Sequence, residues 1–200
     1  WTAPPHAPLS TEGPFAAASY ENVTISQVLR ITEGGTELRI RLSNRYGAHP
    51  LKIGAARMVQ IDDAGNEVAG SSRLLTFGGE GSAVIPRGSP FVSDTVALDL
   101  PDLARLKVEI FLPEATGPCT CHLTGLDELA VSPPGNHVGT EWEPASTAQY
   151  RAFLTTVEVN SPDALGTIVT YGDSITDGVG STPGANRRWP DILANRLQEA

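Results

Sequence analysis

The chain has 200 residues, with 23 Asp and Glu against 14 Lys and Arg, a formal net charge of −9. That balance repels nucleic-acid phosphates and anionic membrane surfaces, so neither is expected as a partner. No apolar run reaches the ~18 residues of a bilayer-spanning helix, so no transmembrane segment is expected. The 20 Gly and 16 Pro are spread along the chain and point to many turns between short strands.

Residues 1–20 are rich in Pro and Ala without periodicity and read as an extended lead-in. The start at Trp1, without Met, fits a removed signal peptide or an expression scar. From Ile25 the text alternates: Ile25, Gln27, Leu29 and Ile31 lie on one face, Thr24, Ser26, Val28 and Arg30 on the other. Glu33-Gly34-Gly35-Thr36 reads as a turn, and Leu38, Ile40 and Leu42 continue the alternation, which predicts a hairpin with one dry and one wet face. Further strands are predicted over 51–61, 73–77, 83–85, 96–100 and 106–112, each closed by Gly, Pro or Asp/Asn turn residues. Residues 113–148, with Pro133-Pro134-Gly135-Asn136, read as a long surface loop, and 150–159 as a return to strand. This rhythm predicts an all-β sandwich, jelly-roll-like, over residues 1–160.

At Asn160-Ser161-Pro162-Asp163 the period changes. The β-branched run Thr167-Ile168-Val169-Thr170-Tyr171 predicts a buried parallel strand, followed by a Gly-rich loop. Trp189, Ile192, Leu193 and Leu197 then recur at helical spacing, with Pro190 and Asp191 suited to the first turn. Residues 161–200 therefore read as the first strand, loop and helix of an α/β unit. A parallel strand needs neighbours on both edges and layers on both faces, so this unit reads as cut short.

The loop after that strand carries the chemistry. Gly172-Asp173-Ser174 places a serine where a strand turns into a helix, a position where unpaired backbone N–H groups can meet a developing oxyanion. Serine becomes a nucleophile only when a base, usually a His oriented by an acid, takes its proton. The segment is not a Gly-x-Ser-x-Gly elbow, because Thr176 stands two residues after Ser174. Asp173 is expected to hold the turn through backbone N–H groups, and Asp177 to cap the following turn or line a pocket. Arg187 and Arg188 are expected to make a surface or interdomain salt link, with binding of an acidic substrate group as the alternative.

Gly172-Asp173-Ser174-Ile175-Thr176-Asp177-Gly178 closely resembles the first block of the GDSL/SGNH hydrolases. Asn186-Arg187-Arg188-Trp189-Pro190-Asp191-Ile192-Leu193-Ala194 resembles the continuation found in one secreted bacterial subgroup. Upstream, Leu38-Arg39-Ile40-Arg41-Leu42-Ser43-Asn44, Leu75-Thr76-Phe77-Gly78-Gly79 and Val92-Ser93-Asp94-Thr95-Val96 resemble that subgroup too, so the likeness covers most of the chain. It implies a β-sandwich ahead of a flavodoxin-like α/β domain, and a secreted or periplasmic serine esterase or acylhydrolase without a cofactor. Its substrate would be a carboxylic ester, such as an acylated carbohydrate or a lipid. Ser174 would be the nucleophile and, through its own N–H, one oxyanion donor; Asp173 and Asp177 would support it. The family's acid and base lie in an Asp-x-x-His, and this chain has none. The resemblance thus implies a further partner, the remainder of the hydrolase domain, in the same protein or a second chain.

Three other readings compete. A carbohydrate-binding sandwich with a non-catalytic remnant would place a glycan on an aromatic such as Trp142. Metal-dependent hydrolysis would use Asp173 and Asp177 as oxygen ligands. Cys119, Cys121 and His122 offer three metal-ligating groups, but a zinc site needs a fourth and usually wider spacing. Cys119 and Cys121 on one extended strand would have Cα atoms about 6.5–7 Å apart, at the limit for a disulfide, and the Gly117-Pro118 turn before them could bring them into range. His6, His49, His122 and His137 have no sequence context that nominates a catalytic base.

Overall fold

The computed structural model describes residues 1–7, 10, 18–162 and 164–199, so the expected lead-in and the boundary at Asp163 lie partly outside the described residues. In chain order the strands are β1 (Val23–Arg30), β2 (Gly35–Ser43), β3 (Leu51–Ile53), β4 (Ala55–Ile61), β5 (Arg73–Leu74), β6 (Ala83–Ile85) and β7 (Pro90–Val92). They continue as β8 (Val96–Leu100), β9 (Arg105–Leu112), β10 (Cys121–His122), β11 (Leu129–Pro134), β12 (Ser146–Ala148), β13 (Arg151–Ala152) and β14 (Leu154–Asn160). The helices α1 (Ser174–Asp177) and α2 (Trp189–Gln198) follow. A six-stranded sheet in the order β12-β11-β1-β9-β4-β5 faces a smaller one in which β14, β7 and β8 pair with β2. All pairings between these strands are antiparallel.

The core between the sheets follows the alternation. Leu106, Val108, Ile110 and Leu112 of β9 and Ile25 and Leu29 of β1 face Leu38, Ile40 and Leu42 of β2 and Leu154 and Val157 of β14. Each such fully buried aliphatic side chain stabilises the fold by roughly 1.5–3 kcal/mol over leaving it exposed. Gln27 stands in the same buried row, satisfied because its amide mimics a strand: Nε2 donates to Ala152 O at 2.9 Å, and Oε1 accepts from Ala152 N at 2.9 Å.

Among the departures from the sequence expectation, three bear on the architecture most. β1 and β2 do not form a hairpin; they lie in opposite sheets. The chain crosses between them at Gly34 and Gly35, where a side chain would collide with the backbone of Leu100–Asp102 and Asn160, and Asp102 Oδ1 accepts from Gly34 N at 2.7 Å. The expected loop over 113–148 contains β10, β11 and β12, and β11 pairs with β1 inside the large sheet. Pro133 and Pro134 hide it, since they sit at its end, where a missing N–H costs little. Third, Thr167–Tyr171 form no strand. Residues 165–172 make no backbone hydrogen bond to any described residue, and Val169 and Tyr171 are 82% and 98% exposed. The segment pairs with no described strand, and β-branched residues alone do not make a strand.

Cys119 and Cys121 are joined by a disulfide, with Cα atoms 5.4 Å apart. Trp142 is half-buried, its ring centroid 6.4 Å from that of His137.

One turn carries an acid-sensitive brace. Asp94 accepts from Thr76 Oγ1 at 2.6 Å, Gly79 N at 2.7 Å and Gly78 N at 2.9 Å. These hydrogen bonds, that of Thr76 foremost, hold its carboxyl below the ordinary value of 3.8. A folded value below the unfolded one means the brace contributes fully above pH 3.8 and is lost as pH falls through the folded value. Thermal unfolding followed at pH 7 and pH 3 should show a smaller acid-induced fall in Tm for Asp94→Asn than for the parent. An equal fall in both would remove Asp94 from the account.

Candidate active site

The turn around Ser174 is built locally. Asp173 is the N-cap of α1, in extended conformation, and its Oδ1 accepts from Ile175 N at 3.0 Å. Gly178 ends the helix in the left-handed region (φ 90°), and its N–H bonds to the Ser174 and Ile175 carbonyls. A Cβ there would run into the Arg188 side chain. Ser174 is exposed at the first helical position, and neither its Oγ nor its N–H bonds to any described residue.

The far end of α1 is fixed to the sandwich. Asp177 does not cap the following turn. Its Oδ1 meets His122 Nε2 at 2.7 Å, and its Oδ2 accepts from Thr124 Oγ1. His122 is buried on β10, and its Nδ1 meets Pro4 O at 2.8 Å. Both ring nitrogens therefore meet oxygen atoms of neighbouring residues, Nδ1 on the lead-in and Nε2 on α1. With both nitrogens engaged, His122 is an anchor for the turn. His6 packs against it with the rings tilted and their centroids 4.7 Å apart; burial first, and then the neighbouring His122, hold His6 below the ordinary histidine value.

The loop after β10 holds the descending segment too. Gly184 N donates to Leu126 O at 2.7 Å, and Leu126 sits at φ 56°, a left-handed conformation costly for a branched side chain that aims its carbonyl at the segment. Arg188 donates to Gly125 O at 3.3 Å and approaches Asp127 at 3.7 Å. It also opens α2, where Asp191 Oδ2 accepts from both Arg188 N (3.1 Å) and Arg188 Nε (2.9 Å), with Pro190 in the first turn. At the opposite end of α2, Asn195 accepts from Arg30 at 2.8 Å and Gln198 donates to Thr32 O at 2.8 Å. The helix forms where its spacing predicts, but no residue of it is buried, and Trp189 and Leu197 stay about half exposed.

Beneath this contact lies a buried ion pair between Arg151 and Asp127. Burial pushes the Arg151 guanidinium down to about 10, against the opposing pull of Asp127. Burial likewise raises Asp127, against Arg151 and Arg188. Both shifts say that desolvation outweighs the mutual attraction, as buried pairs commonly show.

No protein-family model matches this chain, and no curated protein matches it. The site has to be judged on its own chemistry.

The structure places Asp173 and Asp177 at opposite ends of α1, directed at different partners. Of the expected Arg pair, Arg188 links the segment to the sandwich, whereas Arg187 makes no ion pair or hydrogen bond with a described residue. Sequence reasoning considered His122 only as a metal ligand or a base, not as the partner of Asp177, and it missed Thr124, Asp127 and Arg151. His122 and Asp177 are 55 positions apart, and no local pattern joins them.

Proposed function

We propose that this chain carries the nucleophile of a serine ester hydrolase of the GDSL/SGNH class, acting on carboxylic esters through an acyl-Ser174 intermediate. The observation that carries the reading is an exposed serine hydroxyl and its own N–H, both without partners among the described residues, at the first position of a capped turn. An attacking hydroxyl must be accessible, and an oxyanion donor must be unspent, before substrate arrives. The turn is held by Asp173 from within and by Asp177 through His122 and Thr124 from outside, which limits how far Ser174 can move. A base, an acid and further oxyanion donors have to come from the remainder of the hydrolase domain. The sandwich, in this reading, is the scaffold that presents the nucleophile.

A fluorophosphonate probe tests this directly. In the protein complete with its hydrolase domain, peptide mass spectrometry should find the probe on Ser174, and prior treatment with an ester substrate should slow its attachment. Labelling confined to other residues would refute the assignment.

A further inference from the structure

We propose that the cavity between the sandwich and the segment around α2 is a phosphate-binding site. This open cleft of about 450 Å³ is lined by Arg30, Arg105 and Arg187, with Asp63, Asn186 and Asn195 beside them. Five of the nine other arginines pair with carboxylates among the described residues, whereas Arg45, Arg73, Arg87 and Arg196 do not. Arg39 and Arg41 pair with Glu158, Arg57 with Glu67 and Glu109, and Arg151 and Arg188 with Asp127. The three cleft arginines form no such carboxylate pair among the described residues.

Neutral acceptors hold two of them in place without cancelling their charge. Arg30 donates to Leu103 O at 3.2 Å and to Asn195 Oδ1 at 2.8 Å. Arg105 donates to the Asp62 and Asp63 carbonyls, both at 3.2 Å. Leu103 adopts φ 61° to supply its carbonyl, a conformation unfavourable for leucine. Arg187 is exposed and keeps its donors unspent. A guanidinium has five N–H donors in a planar fork, so each of the three retains donors for an incoming oxyanion.

The charge count selects the class of anion. With 23 acids against 14 bases, carboxylates are abundant, yet only Asp63 lines the cleft, which leaves a surplus of two positive charges. A carboxylate would neutralise half of that surplus. A phosphate monoester, with a charge of roughly −1.5 to −2 at neutral pH, matches it and presents three acceptor oxygens. Leu103, Ala185 and Ile192 add an apolar wall against which a small organic body could lie. The same phosphate chemistry is offered by free inorganic phosphate and by an organic phosphate monoester. This inference is independent of the role proposed for Ser174, which does not line the cleft.

The test is a titration of the ¹⁵N-labelled chain with inorganic phosphate, and separately with glycerol 3-phosphate, at low ionic strength. Saturable amide shifts at Asn186, Arg187 and Asn195 are expected, with a Kd on the order of 1 mM. Arg187→Gln, at an exposed position that should leave folding intact, is expected to weaken binding about tenfold, the loss of one charge-assisted contact. Arg105→Gln should act in the same direction, and Arg45→Gln, remote from the cleft, should leave binding unchanged. Tighter binding of glycerol 3-phosphate with shifts at Ile192 would identify an organic ester as the ligand; equal affinity would identify free phosphate. Shifts that fail to saturate by about 50 mM, or full affinity in both Arg187→Gln and Arg105→Gln, would overturn the proposal.

Discussion

In the complete ester hydrolase proposed here, Ser174→Ala is expected to abolish turnover, lowering kcat on the order of 10⁴-fold or more with KM little changed. The size follows from the proposed role: without Oγ no acyl-enzyme could form, and the residual rate would reflect only binding and oxyanion donors. The fold should be unaffected, since Ser174 Oγ bonds to no described residue and the side chain is exposed. Steady-state hydrolysis of a chromogenic acetate ester by parent and variant, with circular dichroism to confirm folding, measures the effect. A variant retaining a third or more of the parent's kcat would end the acyl-serine reading.

The second large effect is on stability. Asp127→Asn is expected to destabilise the sandwich by about 3–5 kcal/mol, because it leaves a buried guanidinium without its counter-charge. Arg151 is 1% exposed, is still charged at neutral pH with a value of about 10, and has a buried Nε without a partner among the described residues. Its other neighbours are the Val28 carbonyl and the Trp1 ring, whose centroid lies 5.2 Å from the guanidinium carbon. Neither replaces a carboxylate, although the ring face does attract the cation. Urea unfolding should show a lower midpoint at unchanged slope. Joining Asp127→Leu to Arg151→Met should recover most of the loss, since two apolar groups need no desolvated charges. A single-variant loss under about 0.5 kcal/mol, typical of a surface change, would show that the pair is not buried in solution.

What could be read from the residues depended on how local the cause was. β9 was legible because Leu106, Val108, Ile110 and Leu112 alternate within one strand, and α2 because Pro190, Asp191 and the spaced apolar residues lie within one turn or two. The partner of each strand was not legible. Nothing in 23–43 says that β1 will pair with β9 and β11 while β2 pairs with β14, since those choices are made by residues as distant as Asn160 is from Glu37. Prolines misled at one place: Pro133-Pro134 end β11, a position a strand tolerates. At the candidate site the turn from Gly172 to Gly178 could be anticipated, because Asp173 and Gly178 act on their immediate neighbours. The clamp from His122 and Thr124 could not, being a contact between segments that only the fold brings together.

The run from Thr167 to Tyr171 has a consequence for the protein in solution. It is β-branched and aromatic, uncharged and free of proline, and its backbone and side chains both face water. Such a segment is a template for cross-β association between identical chains, which would grow with concentration and draw on the hydrogen-bonding groups the fold leaves unspent. Covering this run would therefore protect the protein from aggregation.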